Sequence, residues 1–213
     1  MFKNTITEKY RVIGDYSLPS LPDELKFAKT DREKAYLKII KELYNVAQKD
    51  PLTGLQHKSH FDTKKKEAGV YIAIDGDGLR ELNNTMGHEA GTAGILALSE
   101  GIKVSLRTGE REDTKMILDA TRSGGDEFII YVKEVSLATG VTIAKRILDN
   151  IRKQAVGKHY TGDASVKAKL DERKLTASLG VGYTQKDADD ALYTAKERGR
   201  NRVEFFRYVK KVA

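Results

Sequence analysis

The chain contains no cysteine, which excludes disulfide bonds and thiolate metal sites. It has no apolar run near the roughly 20 residues that a membrane-spanning helix needs. Its first residues, Met1-Phe2-Lys3-Asn4-Thr5, lack the apolar stretch of a secretory signal. From these absences the expectation is a cytoplasmic protein with no membrane partner. No internal repeat and no low-complexity tract occurs. A concentrated basic tail is missing too. The 38 Lys and Arg against 31 Asp and Glu leave a charge of +7 spread along the chain, with only Lys64-Lys65-Lys66 forming a run. That run reads as a solvated helix face. The surplus weakly favours a polyanionic ligand, and nucleic acid is not the expected one.

What is present suits one domain of ordinary size plus an extension. Residues 1–30 carry Pro19 and Pro22 and no periodicity. Residues 31–49 turn helical, with Tyr36, Ile40, Leu43 and Ala47 on one face, and Asp50-Pro51 closes that segment. The stripe is either a dimerisation face or a face folded back on the domain that follows, over 50–208. There, strands are expected at 70–74, 116–121, 128–132, 175–183 and 203–206. Helices are expected from about Gly87-His88 through Leu98, at 135–151 and at 187–198, and 158–174 reads as a polar, exposed excursion. Interleaved helices and strands around one hairpin indicate an α+β (α/β) fold, a central sheet flanked by helices, with a helix in front.

The chemistry concentrates at strand ends. Gly124-Gly125-Asp126-Glu127-Phe128 combines a tight turn with two acids and a buried strand. Asp75 and Asp77 close the apolar strand at 70–74. If the two strands are neighbours, Asp75 and Asp126 converge on one site for a hard cation that takes carboxylate and phosphate oxygens. Asp77 alone reads better as a turn cap. Gly76 and Gly78 leave a loop that phosphates can approach closely. Lys196 and Arg200, four residues apart, share a helix face suited to a triphosphate, or equally complement the helix macrodipole.

Four separated segments together resemble the GGDEF domain of the diguanylate cyclase family. They are Asp50-Pro51-Leu52-Thr53-Gly54-Leu55, then Asp75-Gly76-Asp77 with Asn83 and Gly87-His88, then Arg122 to Phe128, then Gly199-Arg200-Asn201-Arg202. The resemblance covers about residues 31–207 and implies a palm-like fold with a mostly antiparallel sheet. It implies that the Asp75 carboxylate, the Gly76 carbonyl and the Asp126 carboxylate ligate Mg²⁺, with Mn²⁺ as a substitute. Asp126 helps deprotonate a ribose 3′-hydroxyl, and Glu127 supports the metal site. The amides of residues 76–80, with Arg80, Lys196 and Arg200, hold the triphosphate. Asn83 binds the base, and His88 lines the same pocket or simply caps a helix. The family joins two GTP into cyclic di-GMP across a homodimer.

Three departures accompany the match. Thr92 stands where the family carries an Asp that reads the guanine edge. Hydrogen bonds to a charged acceptor contribute about 1.5–3 kcal/mol, so ATP joins GTP as a candidate substrate and a mixed cyclic GMP-AMP as a candidate product. Lys115-Met116-Ile117-Leu118 lacks both ends of the family's product-inhibition motif, Arg-x-x-Asp. Leu79 replaces an aromatic, and Arg80 a lysine. The Asp-Gly-Asp-Gly string is also similar to the palm of CRISPR-associated cyclic oligoadenylate polymerases, a poorer match because their hairpins end in Asp-Asp. A catalytically silent nucleotide-binding module is the alternative to an active synthase.

Overall fold

The computed structural model of the protein describes residues 30–63, 68–107 and 117–207. Residues 1–29, the lysine run at 64–66, and Lys115 and Met116 of the inhibition-motif stretch lie outside the described residues. The backbone divides into two units, Met1–Gln48 and Lys49–Ala213. In the first, helix α1 spans Asp31–Ala47. It starts at a capping box, in which Thr30 Oγ1 accepts from the Glu33 amide at 3.2 Å and Glu33 Oε2 from the Thr30 amide at 2.9 Å. Its apolar stripe is exposed, with Tyr36, Ile40 and Leu43 at 52%, 48% and 64%.

The second unit runs β1 (Gln56–His57), α2 (Lys58–Thr63), β2 (Gly69–Gly76), α3 (Leu79–Met86), α4 (His88–Arg107), β3 (Ile117–Gly124), β4 (Glu127–Lys133) and α5 (Leu137–Arg152). A 3-10 turn at Val156–His159 follows, then α6 (Ala164–Glu172), β5 (Ala177–Gly182), α7 (Gln185–Glu197) and β6 (Val203–Phe205). The strands form one sheet in the order β1-β3-β4-β2-β5-β6. The inner pairings β3–β4, β4–β2 and β2–β5 are antiparallel, and the outer β1–β3 and β5–β6 are parallel. The mostly antiparallel α+β architecture is the expected one.

The two faces of the sheet are built differently. Val70, Ile72 and Ile74 of β2 point to one side and are fully buried. There they join Ile130, Val132, Val181 and residues of α3, α4 and α5 in the main core. Each such side chain stabilises the fold by roughly 1.5–3 kcal/mol. On the other side Tyr71, Ile129, Tyr131 and Phe61 make a small aromatic cluster, and α7 packs on β5. Gly180 permits that approach: a Cβ there would collide with the Ala188 carbonyl and the Leu192 amide.

Two segments differ from expectation. Leu79–Met86 is a helix of its own, too short for a periodic stripe to announce it, with only Leu79 and Leu82 buried. The stretch 158–174 is not a purely exposed excursion. It carries α6, N-capped by Asp163, and Leu170 sinks fully into the core. Leu170 anchors a turn of helix whose remaining charged residues hide the pattern.

Candidate active site

Three segments meet where β2 ends. Glu127, the first residue of β4, stands opposite Asp75 in register, and Ser178 of β5 stands opposite it on the other edge. The Gly76 amide donates to the Asp126 carbonyl at 3.2 Å. The fold therefore makes neighbours of the strand end and the hairpin tip. Alternation along β2 puts Asp75 on the face that α7 covers, two residues on from Ala73 and four from Tyr71. From the last turn of α7, Lys196 Nζ comes within 2.7 Å of Asp75 Oδ2. Burial pushes the Asp75 carboxyl above its ordinary pKa. Lys196 opposes this, and the charges of Asp126 and Glu127 add to the rise. The outcome is a half-buried acid with two acids beside it and one cation against it.

The hairpin tip is pinned separately. Gly125 turns the chain at φ 48, a left-handed angle that a residue with a Cβ adopts at a cost. Arg122 Nε donates to the Gly125 carbonyl at 2.8 Å, and Arg122 Nη1 lies 3.2 Å from Asp50 Oδ2. Asp50 also accepts from the Thr53 amide at 2.8 Å and the Thr53 hydroxyl at 2.6 Å. Burial alone would raise the Asp50 pKa; the Thr53 bonds and the Arg122 charge hold it below its ordinary value. The Asp50-Pro51-Leu52-Thr53 motif thus clamps the loop that carries Asp126.

Asp77 does not have the turn-capping role expected of it. It lies just beyond β2, on the edge toward β5, where its amide donates to the Thr176 carbonyl at 3.0 Å. It accepts from Thr176 Oγ1 at 2.9 Å, Ser178 Oγ at 2.8 Å and the Asn201 amide at 3.0 Å. One carboxylate thereby ties the loop after β2 to β5 and to the turn after α7.

The predicted pairing of Lys196 and Arg200 on one helix face is also corrected. α7 ends at Glu197, and Gly199 (φ 103) and Arg200 (φ 61) turn the chain away. Lys196 goes to Asp75. Arg200 instead lines a cavity of about 340 Å³ beside Gly78, Leu79 and Asn201. The glycine inside the motif was the available signal, since such residues end helices. Arg173 and Lys174, which sequence pattern gave no reason to select, line the same cavity.

The remaining candidates lie on α3 and α4. Asn83 is half-buried against α4: a Cβ on Gly91 would collide with its side-chain oxygen. Thr92, the residue after Gly91, donates its hydroxyl to the His88 carbonyl at 3.0 Å. His88 opens α4 and is exposed, as is Arg80.

The profile of the family described as "Diguanylate cyclase, GGDEF domain" matches residues 47–202. The chain belongs to the GGDEF family. Among solved structures, the coiled coil and GGDEF domain of DgcB from Caulobacter crescentus, in complex with c-di-GMP, aligns with a TM-score of 0.64 at 22% identity. It covers 87% of this chain and 99% of that one. The diguanylate cyclase SiaD of Pseudomonas aeruginosa, in complex with its activator SiaC, aligns with a TM-score of 0.63 at 23% identity, over 94% of this chain and 75% of that one. At these identities the likeness shows the fold.

Among curated proteins, an uncharacterized membrane protein of Staphylococcus haemolyticus is 29% identical over 71% of this chain and 41% of its own length. One of Staphylococcus epidermidis is 28% identical over 82% of this chain and 50% of its own length. The GGDEF chain thus spans about half the length of the curated relatives it matches or less. Their naming as membrane proteins overturns the cytoplasmic assignment. Among the described residues no helix is long and apolar enough to cross a membrane, but hydropathy reports only on the stretch it is read from.

Among the described residues no group of three or more His, Cys, Asp or Glu side chains converges to hold a metal unaided. Asp75, Gly76 and Asp126 lie at adjoining chain segments, joined by the Gly76 amide's bond to the Asp126 carbonyl. Asp75 also carries a carboxyl whose ionised form is disfavoured by burial and by like charge. A cation completing its shell with substrate phosphates, as Mg²⁺ commonly does, fits such a set.

Proposed function

We propose that this GGDEF domain condenses two nucleoside triphosphates, with GTP preferred, into a cyclic dinucleotide. The observation that carries the reading is the end of β2, where Asp75 lies against Lys196 and under the charge of Asp126 and Glu127 on the adjoining hairpin. The Asp75 carboxylate, the Gly76 carbonyl and the Asp126 carboxylate would hold Mg²⁺, which when bound supplies Lewis-acid stabilisation of phosphate charge. Asp126 draws the proton from a ribose 3′-hydroxyl, and Glu127 keeps that corner negative. The freed oxygen bonds to the α-phosphorus of the other nucleotide, and the bond to pyrophosphate breaks. Lys196, against Asp75, and Arg200, beside Gly78, offset the leaving charge.

Asn83 and Thr92 form the base end of the site. Because the Thr92 hydrogen is donated back to His88, its oxygen offers only lone pairs outward. An amino group of guanine or of adenine satisfies such an acceptor, so weak base discrimination and some cyclic GMP-AMP are the expected result. Each copy presents one nucleotide, so turnover needs a homodimer. The exposed stripe of α1, with Tyr36, Ile40 and Leu43, is the surface assigned to that pairing.

The test is a product assay with labelled GTP, ATP or both, Mg²⁺ and a range of protein concentrations. Cyclic dinucleotide is expected from the native chain, rising with the square of protein at low concentration, and none from a folded Asp126→Asn variant. Absence of product from folded, dimeric native protein overturns the reading.

A further inference from the structure

We propose that Arg173 is a third cation for the substrate's triphosphate, brought to the site by the segment between α5 and β5. This rests on the nucleotide reading above and adds a binding residue to it. The segment is firmly held: Ala155 and Lys174 form an antiparallel bridge, Leu170 is buried in the core, and Asp163 caps α6. It delivers Arg173 to the loop after β2. One guanidinium nitrogen lies 3.6 Å from where a Cβ on Gly78 would stand. The guanidinium therefore covers the Gly78 turn, whose φ of 73 suits glycine.

Charge in that place is lopsided. Arg173, Lys174 and Arg200 all line the cavity, and its one acid, Asp77, has both oxygens occupied by Thr176, Ser178 and the Asn201 amide. The described ion pair of Arg173 is with Glu81 at 3.7 Å, and the Glu81 side chain is 69% exposed. An exposed pair at that distance is worth little. A guanidinium has five donors in a planar fork, so most of its donors are left for a ligand. α3 begins at Gly78 with no side chain capping it, which adds amide donors to the same space. Three cations, open amides and a cavity beside the proposed reaction centre suit a polyphosphate chain.

The experiment is calorimetric titration of the full chain with three probes: the α,β-methylene analogue of GTP, GMP, and inorganic tripolyphosphate. For Arg173→Ala, affinity for the analogue and for tripolyphosphate is expected to fall about tenfold, with GMP binding unchanged. Arg173→Lys, which keeps the charge and loses the fork, is expected to lose about threefold. Equal affinity of Arg173→Ala and native protein for both polyphosphate probes overturns the inference, as does an equal loss for GMP. If the native chain binds tripolyphosphate in an Arg173-dependent way yet makes no cyclic dinucleotide, the cyclase reading fails and the anion site stands. If it binds none of the probes, both fail.

Discussion

Asp50 and Asp75 are two acids of one unit in outwardly similar settings. Their side chains are 12% and 16% exposed, and each lies against one cation, Arg122 at 3.2 Å and Lys196 at 2.7 Å. Burial pushes both pKa values upward. Asp50 nevertheless ends below its ordinary value and Asp75 above it. The difference lies in the other neighbours. Asp50 receives two hydrogen bonds from Thr53 besides its guanidinium partner, and its charge is closed within the fold. Asp75 has a single cation and two further acids near it, so its charge is under-compensated by the protein. A satisfied acid holds structure together, while an under-compensated one suits the cation site proposed for Asp75.

Neutralising each acid in turn should separate the two by the widest margin. Asp75→Asn is expected to lower cyclic-dinucleotide formation by about 10³-fold, the several kcal/mol that a charge-stabilising metal site contributes. Its stability should equal or exceed that of the native chain, because a disfavoured charge has gone. Asp50→Ala should do the reverse to stability, costing about 3 kcal/mol by leaving Arg122 and the Thr53 donors unpaired. With a urea m-value of about 2 kcal/mol/M, the midpoint then falls by roughly 1.5 M. An unchanged midpoint for Asp50→Ala, or a large drop for Asp75→Asn, would dissolve the distinction.

Asp77 extends the contrast, since it too is fully satisfied while lying two residues from Asp75 in the proposed site. Asp77→Ala is expected to cost about 2 kcal/mol in the same urea titration, chiefly from orphaning the buried Ser178 hydroxyl. Nucleotide affinity should weaken with it, because the turn carrying Arg200 loses its tie through Asn201. Full affinity in a destabilised variant would confine Asp77 to holding the fold.

The asymmetry between these acids explains what could be read before folding. Apolar strands bordered by acids, at Ile74-Asp75 and before Phe128, announced two strands and the hairpin, because alternation and glycine turns are local properties; that β2 and β4 are neighbours is a property of the fold. The partners of Asp77 were not legible: Thr176, Ser178 and Asn201 lie in distant segments, and only the β2–β5 pairing brings them near. Arg173 was hidden for the same reason, inside a stretch whose charged residues masked Val166 and Leu170 as a helix face. A spacing of four does not hold Lys196 and Arg200 on one face because Gly199 between them ends the helix. Location was misjudged from the one stretch of sequence at hand.

The smallest effect is in the pH dependence, where the two acids should carry opposite signs. The folded pKa of Asp50 is below its unfolded value, so its stabilisation is complete above the ordinary carboxylate value of about 4 and is lost as pH falls through the folded one. Asp75 has its folded pKa raised, so its ionised form costs stability. That penalty is complete above the folded value and disappears once the pH drops below the unfolded value of about 4. Urea midpoints of the native chain, Asp50→Asn and Asp75→Asn between pH 7 and pH 3.5 separate the two. As pH falls, native protein should lose its advantage over Asp50→Asn and gain on Asp75→Asn. Difference profiles sloping the same way would mean that Asp126 and Glu127 do not load Asp75 as their proximity indicates, and that Asp75 is as settled in its ion pair as Asp50.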